Sequence, residues 1–206
     1  MTVTIAGARH VGTWNDKTWY FCNARCKDRF LAEHPEWHGR VALLALCVAS
    51  RQEIPAYAEY LQEIRATAAG IDARFARDGW RPLDLRVGDT FPDTVAGYRN
   101  YDVLLVNAIA DGMNLVAKEG PLLNARDGVL VLSRRAGAFE EIGRHAVPVD
   151  PLDVGGTADA IAVALSLPEG ERRRRAAAIR DHVRDHDVHG WLAAQLADLD
   201  ALGDVA

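Results

Sequence analysis

The sequence lacks any long apolar run: nothing in its 206 residues approaches the roughly 18 to 20 uninterrupted apolar positions that a membrane-spanning helix needs. Basic charge is also short. Against 29 Asp and Glu stand 24 Lys and Arg, so the overall footprint of a nucleic-acid-binding protein is missing. Only three cysteines are present, an odd and small number that argues against a disulfide framework and for a reducing compartment. The first residues, MTVTIAGARHVGTWND, have neither a basic start nor a long apolar stretch, which speaks against a secretory signal and leads us to expect a cytoplasmic protein. What is present is ordinary globular material: 49% hydrophobic and 26% charged residues exclude wholesale disorder.

The chain changes character near residue 35. Before it, Trp14, Trp19, Tyr20, Phe21, Cys22, Cys26 and Phe30 crowd together; after it, short apolar runs alternate with longer amphipathic stretches. Residues 41–48, 101–106 and 129–132 are compact apolar runs of the kind buried on both faces of a parallel sheet, with Cys47 inside the first as a core residue. Residues 83–87 and 147–149 read as two further short strands. Helical spacing runs over 55–77, with Gly79 as a stop, and over 92–98, 115–123, 139–144, 156–165, 169–184 and 188–202. Strands separated by helices predict an α/β fold with a doubly wound parallel sheet and right-handed crossovers. The run Arg172 to Arg175 lies among Glu169, Glu171, Asp181 and Asp185 and reads as a solvated helix face.

In such a sheet, ligands bind beyond the carboxyl ends of the strands. The strand at 101–106 runs into a polar turn and then a helix. There Asp111 and Asn114 are good capping residues, and Gly112 allows a close turn of the backbone. The amides of Asn114, Leu115 and Val116 would face outward from the helix N-terminus, suited to an anion such as a diphosphate. Glu119 lies far enough along the helix to accept hydrogen bonds from a ribose. From the residue types alone, an ordinary helix cap fits the same pattern.

The wording of the segment adds more. DGMNLVAKE, residues 111–119, resembles the donor-site segment of the trehalose-6-phosphate synthases, retaining glycosyltransferases of the two-domain GT-B type. HPEWHGRVALLALCVASRQEIPAYAEY looks like that family's first strand and following helix in the C-terminal domain, and GVLVLSRRAGAFEEI like its next strand and turn. VDPLDVGGTADAIAVAL and HDVHGW complete the resemblance, which covers about residues 35–200 in order. It implies a Rossmann-like C-terminal GT-B half over residues 37–206 that binds a nucleotide-sugar donor, UDP-glucose or GDP-glucose, without an essential metal. By that resemblance Leu115 and Val116 hold the diphosphate, Glu119 the ribose, and Asp111, Gly112, Met113 and Asn114 the hydroxyls of the sugar, which passes to glucose 6-phosphate in trehalose biosynthesis. Two features of the family are absent: no R-L-D-Y-x-K-G segment supplies a basic pair, and Ala110 stands where an arginine is common. The family's N-terminal, acceptor-binding domain has no counterpart either, so the isolated chain is expected to be inactive; a non-catalytic nucleotide-sugar-binding or interaction module is the alternative.

At the front, KTWYFCNARCKDRFLAEHP resembles a YHS domain, a short metal-associated module, through Tyr20, Phe21, Cys22, Cys26 and Phe30. That implies a partial metal-associated segment over residues 1–36, with Cys22 and Cys26 as an incomplete site for zinc or another soft metal, and a reading frame that begins upstream with a further cysteine. A metal-responsive protein is therefore a further alternative. The same residues also fit a small aromatic cluster with buried thiols. His182, His186 and His189 fall at helical spacing, but the last two belong to the HDVHGW stretch, read as the family's closing helix, and Asp72, Asp78 and Asp84 show no pairing suited to hydrolysis.

Overall fold

A computed structural model describes residues 8–10, 19–20, 24–49, 52–88 and 91–203. Its centre is a sheet of β3 (Leu43–Cys47), β4 (Leu83–Val87), β5 (Val103–Val106), β6 (Val129–Ser133) and β7 (Val147–Val149), joined by two short strands from the front of the chain, β1 (Ala8–His10) and β2 (Trp19–Tyr20). β4 pairs in parallel with β3 from Leu43↔Leu83 to Cys47↔Val87, and β6 pairs in parallel with both β5 and β7. β2 bridges the two halves, parallel to β3 at Leu43 and Leu44 and to β5 at Val103, while β1 runs antiparallel to β3.

The alternation along the central strands explains why they read as unbroken apolar runs. Val103, Leu105, Val129 and Val131 join one core, and Leu104, Val106, Leu130 and Leu132 join the other, because successive side chains leave a strand on opposite faces. On the first face lie α1 (Ala24–Glu33), α2 (Pro55–Phe75) and α6 (Val154–Ser166), through Phe30, Leu31, Ile71 and Ile161. On the second lie α3 (Phe91–Asn100), α4 (Val116–Leu123), α5 (Ala138–Ile142) and α7 (Glu169–Asp185), through Tyr98, Ala117, Ile142 and Ile179. The expected α/β fold with parallel strands and helices on both faces is what is found. A last helix, α8 (Val188–Gly203), leaves Val188, Trp191, Leu192, Leu196 and Leu199 exposed. Among the described residues no helix is long and apolar enough to cross a membrane.

Two local features go beyond the sequence reading. The described end of the front segment shares the core of the sheet domain: α1 packs on α2 and α6, and Cys26, Phe30 and Leu31 are fully buried. Its amphipathic face finds the same core that residues 37 onward build. The arginine run is only partly solvated. Arg173 and Arg174 are exposed, but Arg172 donates to the carbonyls of Arg126 and Asp127 and approaches the buried carboxylate of Asp102 at 3.3 Å. Arg175 donates to the carbonyl of Ala146, and Arg180 to Asp127. One side of α7 thus clamps the connections into β6 and β7, geometry that charge patterning along one helix does not reveal.

Candidate functional site

β5 delivers the chain to the carboxyl edge of the sheet, where Asn107 and Ala108 are still buried and Ile109 and Ala110 emerge. The loop that follows lies along the turn after β6. Ser133 Oγ donates to the Ala108 carbonyl at 2.7 Å, Asp111 N to the Arg135 carbonyl at 3.2 Å, Gly137 N to the Asp111 carbonyl at 2.9 Å, and Ala138 N to the Met113 carbonyl at 2.8 Å. Four bonds from one turn fix a loop that its own sequence would leave free.

Inside the loop the polar side chains form a relay. Asp111 Oδ1 accepts from Met113 N at 3.2 Å and Oδ2 from Asn114 Nδ2 at 3.2 Å, while Asn114 Oδ1 accepts from Ala117 N at 3.1 Å. Asn114 sits at φ +77°, a left-handed conformation that asparagine tolerates better than most residues. Asn114 therefore caps α4, and Asp111, expected as a cap, instead holds the loop that carries the cap. With Ala117, Lys118 and Glu119 bonded back to Asn114 and Leu115, the amides of Leu115 and Val116 meet no acceptor among the described residues. They stand at the positive end of the helix dipole. Gly112 is exposed, with nothing within 4 Å of where a Cβ would stand, so the protein itself places no demand for glycine there. Met113 and Leu115 are also exposed, as is Glu119, which makes no ion pair with any described residue.

The helix is anchored at its side. Lys118 Nζ lies 2.7 Å and 2.8 Å from the two carboxylate oxygens of Glu141 on α5, and His182 of α7 approaches the same carboxylate at 3.3 Å. The Lys118 ammonium, with a smaller contribution from His182, holds the Glu141 carboxyl below its ordinary value of 4.5 against the opposing effect of burial. A carboxyl depressed in the folded state contributes stability in full above its unfolded value and loses it as pH falls through the lower folded value. Lys118→Met is thus expected to return the Glu141 titration, followed by carboxyl carbon NMR, toward 4.5 and to raise the pH at which acid begins to unfold the chain.

Among the described residues the other candidates form no assembled site. Cys26 is buried inside α1, Cys22 lies outside the described residues, and no group of three His, Cys, Asp or Glu among the described residues is arranged to hold a metal. His182 and His186 stack at 4.1 Å between ring centroids, and His186 Nδ1 lies against the His182 carbonyl, so this pair is occupied with ending α7. Asp72 and Asp84 pair with Arg81 and Arg86.

The sequence profile of glycosyltransferase family 20 matches residues 23–201. The chain belongs to glycosyltransferase family 20. This family 20 chain is 42% identical over 167 residues to a bifunctional trehalose-6-phosphate synthase/phosphatase of Thermoproteus tenax, covering 80% of its own length and 23% of the relative's. It is 37% identical over 180 residues to a trehalose-6-phosphate synthase of Sinorhizobium fredii, covering 86% of itself and 39% of that protein. Its fold superimposes on a UDP-forming α,α-trehalose-phosphate synthase of Burkholderia xenovorans solved in complex with glucose 6-phosphate, with a TM-score of 0.80, 32% identity, and coverage of 86% and 40% of the two chains. The chain therefore spans about two fifths of the length of the synthases it matches, and less of the bifunctional relative. The GT-B fold expected from the sequence agrees with this similarity.

Proposed function

We propose that the family 20 chain binds the nucleotide-sugar donor of a trehalose-phosphate synthase reaction, with the free amides of Leu115 and Val116 as its diphosphate cradle. That pair of amides, preset by the relay from Asp111 through Asn114 to Ala117, is the observation that carries the reading. Hydrogen-bond donors already aimed at the place where negative charge gathers cost no reorganisation during reaction. When glucose leaves a diphosphate, charge builds on the departing oxygens, so the cradle would act on the transition state as well as on the bound donor. Glu119 on the open flank of α4 takes the ribose hydroxyls. Gly112, Met113 and Asn114 frame the sugar; Asp111, already accepting two bonds within the loop, reaches its hydroxyls with its remaining lone pairs. A UDP-forming relative supports UDP-glucose over GDP-glucose, and a relative solved with glucose 6-phosphate supports that sugar phosphate as acceptor.

Transfer requires a polypeptide equivalent to the other three fifths of the relatives' length to bring the acceptor. Calorimetry with UDP, GDP and their glucose conjugates tests the reading. We expect saturable binding of UDP-glucose, weakened about tenfold or more in Glu119→Ala through loss of charge-assisted bonds. We also expect no trehalose 6-phosphate from UDP-glucose and glucose 6-phosphate with this chain alone. Absence of any nucleotide binding, or binding indifferent to Glu119→Ala, would overturn the donor assignment.

A further inference from the structure

A depression of about 570 Å³ opens beside the edge strand β7. Its floor is apolar, built on Phe139, Val163 and Leu167, and its rim carries Arg134, Arg144 and Arg175; no Asp or Glu lines it. Two of the guanidiniums are held before any ligand arrives, and the exposed Arg144 lies with Nε 3.0 Å from His145 Nε2. Arg134 lies over the Phe139 ring at 5.4 Å from its centroid. Arg175 is held through Nε by Glu171 at 2.7 Å and through Nη1 by the Ala146 carbonyl at 3.0 Å. Glu171 lies outside the lining and offsets Arg175, while Arg134 and Arg144 pair with no carboxylate among the described residues. Val163, more than half exposed, leaves an apolar face of α6 bare beside them.

We infer that this depression is a binding site for an organic anion with an apolar or planar body, such as an aryl phosphate, separate from the donor cradle. Two guanidiniums without carboxylate partners provide charge and bidentate donors, one restrained arginine adds donors at little entropic cost, and the floor takes the body of the ligand. His145 reports the same field: burial, then the positive charge of Arg144, Arg174, His182 and Arg175, lowers its pKa. The site also touches α5, whose first residues hold the donor loop, so an occupant would contact the element that fixes Asp111 and Met113.

Phenyl phosphate titrated into the full chain, followed by methyl NMR of Val and Leu, is the test. Shifts at Val147, Val163 and Leu167 should saturate while those of Leu115 and Val116 stay small, and the His145 titration should move upward on saturation because a bound anion offsets the arginines. Inorganic phosphate, which leaves the floor uncovered, should bind about tenfold more weakly. Arg134→Gln with Arg144→Gln should weaken phenyl phosphate by about tenfold or more. Val163→Asp, which places a like charge in the depression at an exposed position, should abolish saturation with thermal stability nearly unchanged. Shifts confined to Leu115 and Val116, a linear unsaturated response, or equal affinity in all variants would overturn the site.

Discussion

Gly137→Ala is expected to lower the thermal midpoint by roughly 10 °C and to cost most of the donor affinity. A Cβ at this residue would stand 2.0 Å from the carbonyl oxygen of Gly112, 2.7 Å from its carbonyl carbon and 3.3 Å from Met113 Cα. All three are backbone atoms, so no side-chain rotation relieves the contact. The loop must retreat by about an ångström, which pulls at the Gly137 N to Asp111 O and Ala138 N to Met113 O bonds together. Overpacking of about 1 to 3 kcal/mol and two weakened hydrogen bonds of about 1 kcal/mol each give a loss of roughly 3 to 5 kcal/mol. In a chain of this size each kcal/mol shifts the midpoint by roughly 2 to 4 °C. Gly112→Ala is the control: its Cβ meets nothing within 4 Å, so stability should hold while a sugar-bearing donor, which needs that space, binds less tightly. Circular dichroism melts and calorimetry read both effects; a Gly137→Ala protein melting within about 2 °C of the parent would contradict the close approach.

Asn124→Ala is expected to cost upwards of about 4 kcal/mol, because one buried side chain serves four main-chain groups there. Its Nδ2 donates to the carbonyls of Tyr98 at 3.1 Å and Tyr101 at 2.9 Å, and its Oδ1 accepts from Arg126 N at 2.9 Å and Gly128 N at 2.8 Å. These bonds tie the end of α3, the approach to β5 and the turn into β6 to one point. Alanine leaves donors and acceptors buried without partners, and each such group carries about 1 to 3 kcal/mol. Asn124→Asp should not rescue: it keeps an acceptor but loses both donor bonds and adds a charge to a buried position. Urea unfolding gives the measurement, with the slope expected to stay constant because the surface exposed on unfolding is the same.

Neither of these positions announced itself in the sequence. The strands did, since unbroken Val and Leu runs require cover on both faces; the loop at 107–114 read from its residue types only as a strand end, a polar turn and a helix cap, and it was the resemblance of DGMNLVAKE to the trehalose-6-phosphate synthases that singled it out. The residues that make the site rigid act across distance instead. Asn124 reaches 26 positions back to Tyr98, and Gly137 is small because of a carbonyl in a different loop. A single asparagine after an apolar helix reads as a C-cap, and a glycine after the run Arg134, Arg135, Ala136 reads as a turn. The same limit explains Arg172 and Arg175, whose acceptors lie in other connections, and Asp111, whose identity was legible while its duty toward Asn114 was not.

The cradle, its anchor and both strands beneath it lie within one continuous stretch, from Val103 of β5 to Glu141 of α5. Nearly all the bonds that shape it begin and end there. Such a stretch has the makings of a cooperative subunit of folding, with the amides of β5 and β6 the slowest to exchange with solvent and those of α8 among the fastest. It also makes the loop heritable as a cassette: recombination that changes what precedes or follows it would leave the geometry of the proposed diphosphate cradle whole.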